Sequence, residues 1–136
     1  TPDGRIQLVL DGVCRFGIGG DFGLRNGYRR VSADYSQFQQ DMDGPAQQLD
    51  RDIFRSLLDR YFKAKQISVD WDMVDNLEDN LLIANLGMMC PFNAQEKQAL
   101  LEARDHVHMT EIMMSLMEMA IQESAITAND NSQVRH

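Results

Sequence analysis

The chain has 136 residues, of which 43% are hydrophobic and 25% charged, and its formal net charge is −8. This length fits one domain that can bury a core without disulfide or metal support. The excess of acidic residues disfavours nucleic acids and anionic membranes as partners, because like charges repel. No apolar run approaches the ~20 residues needed to cross a bilayer, so we expect no membrane contact.

The part of the chain before residue 45 has the pattern of a β-sheet. It holds eight of the nine glycines. Apolar and polar residues alternate over 6–10, which predicts a strand. Asp11-Gly12 is a turn dipeptide, so residues 13–16 are expected to return as a second strand.

A glycine-rich stretch, 17–23, follows these strands and is expected to be a flexible connector. Its spacing matches neither G-x-G-x-x-G nor a Walker loop, so a phosphate site is not predicted. Asn26-Gly27 indicates another hairpin turn, and residues 28–31 are expected to form a third strand. Such a thin sheet leaves an open edge near residues 5–10, which favours a homodimer formed by strand pairing or exchange.

The second half has helical spacing of its apolar residues. Helices are predicted over about 51–65, 71–75, 78–89, 94–103 and 106–124, with Asp50, Asp70, Asn93 and Asp105 as N-caps. The predicted fold class is α+β, a small partial antiparallel sheet followed by a bundle of four to five helices. The predicted layout is a partial β subdomain over 1–45, a helical subdomain over 46–124 and a flexible tail over 125–136.

Cys90-Pro91-Phe92-Asn93 is interpreted as a corner between two helices. Proline disfavours helix at the preceding residue, and Asn93 with Glu96 has the pattern of a capping box. Cys90 therefore marks the end of a helix and is not expected to be a nucleophile, because the dipole there disfavours a thiolate. With Cys14 it is expected to be a reduced core residue of a cytoplasmic protein, although one disulfide is the alternative.

Four segments in order, GRIQLVLDGVCRF, GYRRV, ADYSQF and CPFNAQEKQALLEA, resemble the substrate-binding domain at the N-terminus of Lon proteases, which also occurs as a stand-alone bacterial protein. The resemblance covers residues 3–121 and only the C-terminal part of that PUA-like domain. The strands and helix that come first in the family are absent, which implies either a fragment or strands supplied by another subunit.

This resemblance implies a non-catalytic module that recognises unfolded polypeptide or a partner protein, in protein quality control or proteolysis. It implies no ATPase or peptidase activity, because the chain has neither a nucleotide loop nor the family's Ser-Lys dyad, and no cofactor is expected. The alternative, different in kind, is a small-molecule-binding or regulatory domain on the same fold.

Two groups of residues are candidates for polypeptide docking. Met114, Met117 and Ile121 form a second apolar stripe on the last helix, which is either buried in a central helix or a pliable docking surface. Tyr35 and Phe38 lie where the β half meets the helices, and they serve either packing or polypeptide contact.

A metal site is not expected near the start of the last helix. The candidate ligands there are Asp105, His106, His108 and Glu111. Residues two positions apart on a helix point in different directions, so His106 and His108 cannot both face one ion. Asp105 is better explained as the N-cap.

Overall fold

Residues 4, 6–10, 12–42 and 49–133 are described in a computed structural model of the chain. They form a two-stranded antiparallel sheet followed by five α-helices, which confirms the predicted α+β class. By its internal contacts the chain divides into two units, Thr1–Gly44 and Pro45–His136. The first unit holds the sheet and a short 3-10 turn over Gln39–Met42, and the second holds the helices.

The sheet consists of β1 (Gly17–Arg25) and β2 (Tyr28–Asp34). They are joined by the predicted Asn26-Gly27 turn, in which both residues have positive φ, 53° and 83°. This is the backbone that a two-residue hairpin turn requires. The turn prediction is confirmed, because Asn and Gly tolerate this conformation better than other residues.

The placement of the first two strands was wrong, whereas the third, predicted over 28–31, lies within β2. Residues 6–10 and 13–16 form no strand, and β1 instead occupies the glycine-rich stretch that was predicted to be a connector. A strand needs a partner as well as an alternating pattern. The Asn26-Gly27 turn brings β1 and β2 together across only two residues, so their pairing costs little loop entropy. Residues 6–10 therefore present no open strand edge, and residue 5, also part of that prediction, lies outside the described residues.

The pairing register contains two irregularities, and both lie in β1. Between the pairs Ile18↔Ala33 and Gly20↔Ser32, β1 advances two residues while β2 advances one. Between Asp21↔Val31 and Leu24↔Arg29, β1 advances three residues and β2 two. Each extra residue is a β-bulge, which increases the local twist. β2 is therefore the regular strand of the pair.

The helices are α1 (Arg51–Lys65), α2 (Trp71–Asn76), α3 (Asp79–Met89), α4 (Ala94–Leu101) and α5 (His106–Gln133). The predicted caps are confirmed. The Asp50 and Asp70 carboxylates accept backbone N–H bonds at the starts of α1 and α2. Asn93 and Glu96 form the reciprocal capping box of α4. The Asp105 carboxylate accepts from His108 N–H at 2.7 Å.

The last helix is longer than predicted. It continues through Gln133, whereas the sequence pattern ended near Ser124. Extending a formed helix adds one hydrogen bond per residue without a new nucleation cost, so a stretch without apolar periodicity can continue it. The flexibility of residues 125–136 stays a prediction.

The core of the helical unit lies between α1 and α5, with α3 and α4 packed beside them. Tyr61 of α1 contacts Phe92 at the predicted corner, with a ring distance of 6.0 Å. The buried cluster comprises Phe54, Leu57, Leu58, Tyr61, Phe62, Val74, Leu82, Ile83, Leu86, Cys90, Phe92, Leu100, Met113 and Met117.

Candidate functional site: the groove between α1 and α5

The second apolar stripe of α5 is divided by depth. Met117 is 0% exposed and belongs to the core cluster, so its side chain cannot reach a partner while the unit is folded. Met114 and Ile121 are partly buried and pack against that cluster. Of the two alternatives for this stripe, the buried one describes Met117. Docking stays a prediction for Met114 and Ile121.

Met114 lines a groove of about 730 Å³ between α1 and α5. On α1 the groove is lined by Asp52, Ile53, Ser56, Leu57 and Arg60, and on α5 by Met114, Ser115 and Glu118. Leu57 is buried and forms an apolar floor, while Ile53 is 58% exposed. The groove is thus lined by three apolar side chains, Ile53, Leu57 and Met114, and by five polar ones.

An ion pair spans the groove from one helix to the other. The Arg60 guanidinium donates to both carboxylate oxygens of Glu118, at 3.0 and 2.8 Å. Both side chains are about half exposed, so the pair adds at most about 1 kcal/mol to stability. Its main consequence is geometric, because a two-point bond fixes the planes of both groups at the edge of the groove.

Sequence reasoning identified only Met114 among the residues that line this groove. Ile53 lies among the helically spaced apolar residues of α1, yet it is 58% exposed and lines the groove with Met114. Arg60 and Glu118 are 58 positions apart. Their pairing depends on the packing of α1 against α5, and nothing in the local sequence around either residue indicates it.

The two aromatic candidates belong to the other unit, Thr1–Gly44. Phe38 is 8% exposed, and the Arg15 guanidinium lies 4.6 Å from its ring centroid. Asp41 holds that guanidinium with hydrogen bonds of 2.8 and 2.7 Å. Phe38 is therefore a packing residue. Tyr35 remains half exposed, with its ring 5.9 Å from that of Phe16.

The Cys90 thiol is enclosed in the helical core. Its residue is 2% exposed, and it caps the end of α3 as predicted, with its N–H donating to Leu86 O. Burial raises the pKa of Cys90 to about 11, against smaller opposing effects of a hydrogen bond with Tyr61 and the charge of Lys97. Burial likewise raises the pKa of Tyr61. At neutral pH the thiol is therefore protonated and enclosed, and both cysteines are free.

The free energy of unfolding is expected to fall between about pH 9 and 11. The buried thiol ionises near pH 11 and an ordinary thiol near 9, so the unfolded chain releases this proton first. Below pH 9 both states keep it, and stability is unaffected. The loss should reach about 2 kcal/mol. Urea unfolding followed by circular dichroism at several pH values measures it.

Cys90→Ala should remove most of this fall in the free energy of unfolding between about pH 9 and 11. Cys14→Ala should leave the fall unchanged. The Cys14 thiol is only partly buried and belongs to the other unit. Part of the dependence of the free energy of unfolding on pH will persist in Cys90→Ala, because the pKa of Tyr61 is also raised. If the free energy of unfolding falls equally with pH in both variants, the fall does not come from the Cys90 thiol.

Among the described residues, no group of three or more His, Cys, Asp or Glu side chains could hold a metal ion. No helix within the described ranges is long and apolar enough to cross a membrane. Comparison with protein-family models, with curated proteins and with solved structures finds no match to this chain. The relation to the Lon substrate-binding domain therefore stays a prediction from the quoted segments.

Proposed function

We propose that this chain is a non-catalytic recognition module that binds unfolded polypeptide through the groove between α1 and α5. The observation that carries the proposal is the exposed Ile53 beside Met114, above the buried Leu57. Apolar side chains in a concave site with polar groups around them are typical of ligand-binding surfaces. Methionine suits sequence-tolerant binding, because its unbranched side chain adapts to different partners.

The size of the groove favours short apolar segments as ligands. A volume of about 730 Å³ accommodates a few side chains of a chain that lies across the helices. The polar residues around it, including Ser56 and Ser115, can hydrogen-bond to the backbone of an extended segment. An unfolded polypeptide presents both apolar side chains and unpaired backbone groups, and a folded surface seldom does.

The acidic net charge of the helical unit favours basic segments as ligands. The sequence over 45–136 holds eight Lys and Arg against fifteen Asp and Glu. This excess raises the association rate of basic ligands and lowers that of acidic ones, in a salt-dependent manner. The proposed ligands are therefore unfolded segments that combine apolar and basic residues.

The proposed role is recognition in cytoplasmic protein quality control or proteolysis, without ATPase or peptidase activity of the chain itself. The enclosed, protonated Cys90 supports a structural role for the residue that most resembled a nucleophile. The quoted segments that resemble the Lon substrate-binding domain support the choice of polypeptide as ligand. A small-molecule-binding domain remains the alternative prediction.

Ile53→Glu is expected to weaken binding of an unfolded apolar peptide without charged residues by about tenfold or more, because it places a charge among the apolar side chains of the groove. Fluorescence anisotropy of a labelled peptide measures the affinity. Ile53 is 58% exposed, so the variant should fold.

Met119→Glu is the matched control. It introduces the same charge on α5 at a residue that is 56% exposed and does not line the groove. It should leave affinity within about twofold of the parent chain. Equal losses in the two variants would indicate a general effect of charge and would reject the groove as the site. Absence of binding by the parent chain would reject the function.

A further inference from the structure

The groove between α1 and α5 is lined by three charged side chains, and two of them neutralise each other. Arg60 donates to both carboxylate oxygens of Glu118. The third is Asp52, in the first turn of α1. It is exposed, and its carboxylate has no hydrogen bond or ion pair with any of the described residues. The negative charge of the groove is therefore localised at Asp52.

The arginines next to Asp52 on α1 pair with other carboxylates. The Arg51 guanidinium lies 2.5 Å from Asp79. The Arg55 guanidinium lies 3.1 Å from Asp75. Both arginines are close enough to Asp52 along the helix to contact it, but they are turned towards α2 and α3. The Asp52 carboxylate is therefore available to a basic group of a ligand.

Asp52 lies at one end of the α1 side of the groove. This side runs from Asp52 to Arg60, a distance of about 12 Å along the helix. Ile53 and Leu57 lie between these ends and supply its apolar surface. An extended chain covers about 12 Å with about four residues. A ligand of this length can place apolar residues over Leu57 while a basic residue beside them reaches Asp52.

We infer that Asp52 determines which unfolded segments this groove prefers, by pairing with a lysine or arginine that flanks their apolar residues. This role rests on the proposed function, because it requires the groove to bind polypeptide. The acidic net charge of the unit attracts any basic ligand and acts mainly on the association rate. A direct pair stabilises the bound complex at one position, so a change at Asp52 alone separates the two effects.

The test compares two unfolded peptides that have the same apolar residues and blocked ends. One carries a single flanking lysine, and the other has glutamine in its place. Fluorescence anisotropy at low salt measures both affinities. The parent chain should bind the lysine peptide about three- to fivefold more tightly, as expected for one exposed ion pair. Asp52→Asn should bind both peptides with the affinity of the parent chain for the glutamine peptide.

Asp72→Asn is the matched control. Asp72 has the same position in α2 as Asp52 has in α1, since each lies two residues after an aspartate N-cap. Asp72 is also exposed, but it does not line the groove. The variant removes the same charge from the same unit and should keep the preference for lysine. Asp52→Glu keeps the charge in place and should keep the preference as well.

Three results overturn the role of Asp52. A preference for lysine that survives in Asp52→Asn, or that falls equally in Asp72→Asn, assigns the effect to the net charge. Equal weakening of both peptides by Asp52→Asn is the third, because an ion pair affects the lysine peptide only. Binding of neither peptide by the parent chain would reject the proposed function itself. Equal binding of both peptides by the parent chain rejects only the role of Asp52.

Discussion

Met117→Ala is expected to lower the free energy of unfolding by about 2–5 kcal/mol, the range for removal of a fully buried large aliphatic side chain. Met117 is 0% exposed and lies in the cluster that joins α5 to α1. Truncation removes its contacts and leaves a cavity in that close-packed cluster. Urea unfolding followed by far-ultraviolet circular dichroism measures the loss.

Met114→Ala is the matched control, because it removes the same atoms from the same helix one turn away. Met114 is only partly buried and lines the groove, so the cost should be about 1 kcal/mol. The affinity for the peptide should fall in Met114→Ala and should stay unchanged in Met117→Ala. Equal stability losses would show that Met114 is a core residue and would remove it from the proposed site.

The helical half could be predicted from sequence because its signals are local. A carboxylate or amide before an apolar-periodic run specifies an N-cap through bonds within three residues, as at Asp50, Asp70 and Asn93. The proline after Cys90 likewise acts on the residue directly before it. These interactions form wherever the helix forms, so the start of each helix follows from a few neighbouring residues.

The β half could not be predicted in the same way, because a strand is specified by its partner. Ile6, Leu8 and Leu10 alternate well, yet no described strand pairs with them and all three are mostly exposed. Gly19 and Gly20 are poor strand residues, yet they lie in β1 because the Asn26-Gly27 turn sets the pairing. Only the turn had a local signal strong enough to be recognised.

The candidate site was partly predictable. Helical periodicity placed Met114 and Met117 in one apolar stripe. Such a stripe is wider than the part of a helix that packs against one neighbouring helix. Which member is enclosed depends on the angle and position of α1 against α5. The same packing brings Ile53, Arg60 and Glu118 to the groove. Interhelical geometry of this kind arises from the whole core and has no signature in a single segment.

The second large effect is expected at Asp79, in the first turn of α3. Its carboxylate accepts from Leu49 N–H at 3.1 Å and from the Arg51 Nε at 2.7 Å. Arg51 also donates to Leu77 O. Asp79 thereby ties the start of α1 to the junction of α2 and α3. Asp79→Ala should lower the free energy of unfolding by about 2–3 kcal/mol, because a charged acceptor is lost and its two donors are left without it.

Asp75→Ala is the control for Asp79→Ala, because it removes another aspartate that pairs with an α1 arginine. Its bond to the Arg55 Nε is 3.1 Å, but both side chains are about half exposed, so the loss should stay below about 1 kcal/mol. Circular dichroism is the appropriate signal, since Arg55 lies over the single tryptophan, Trp71, and fluorescence would change locally. If the two variants lose equal stability, the network around Asp79 is no stronger than an exposed ion pair.

The double variant of Arg51→Ala and Asp79→Ala tests whether the two residues are coupled. If it loses as much stability as the two single variants added together, the residues are not coupled, whereas direct bonding requires a smaller combined loss.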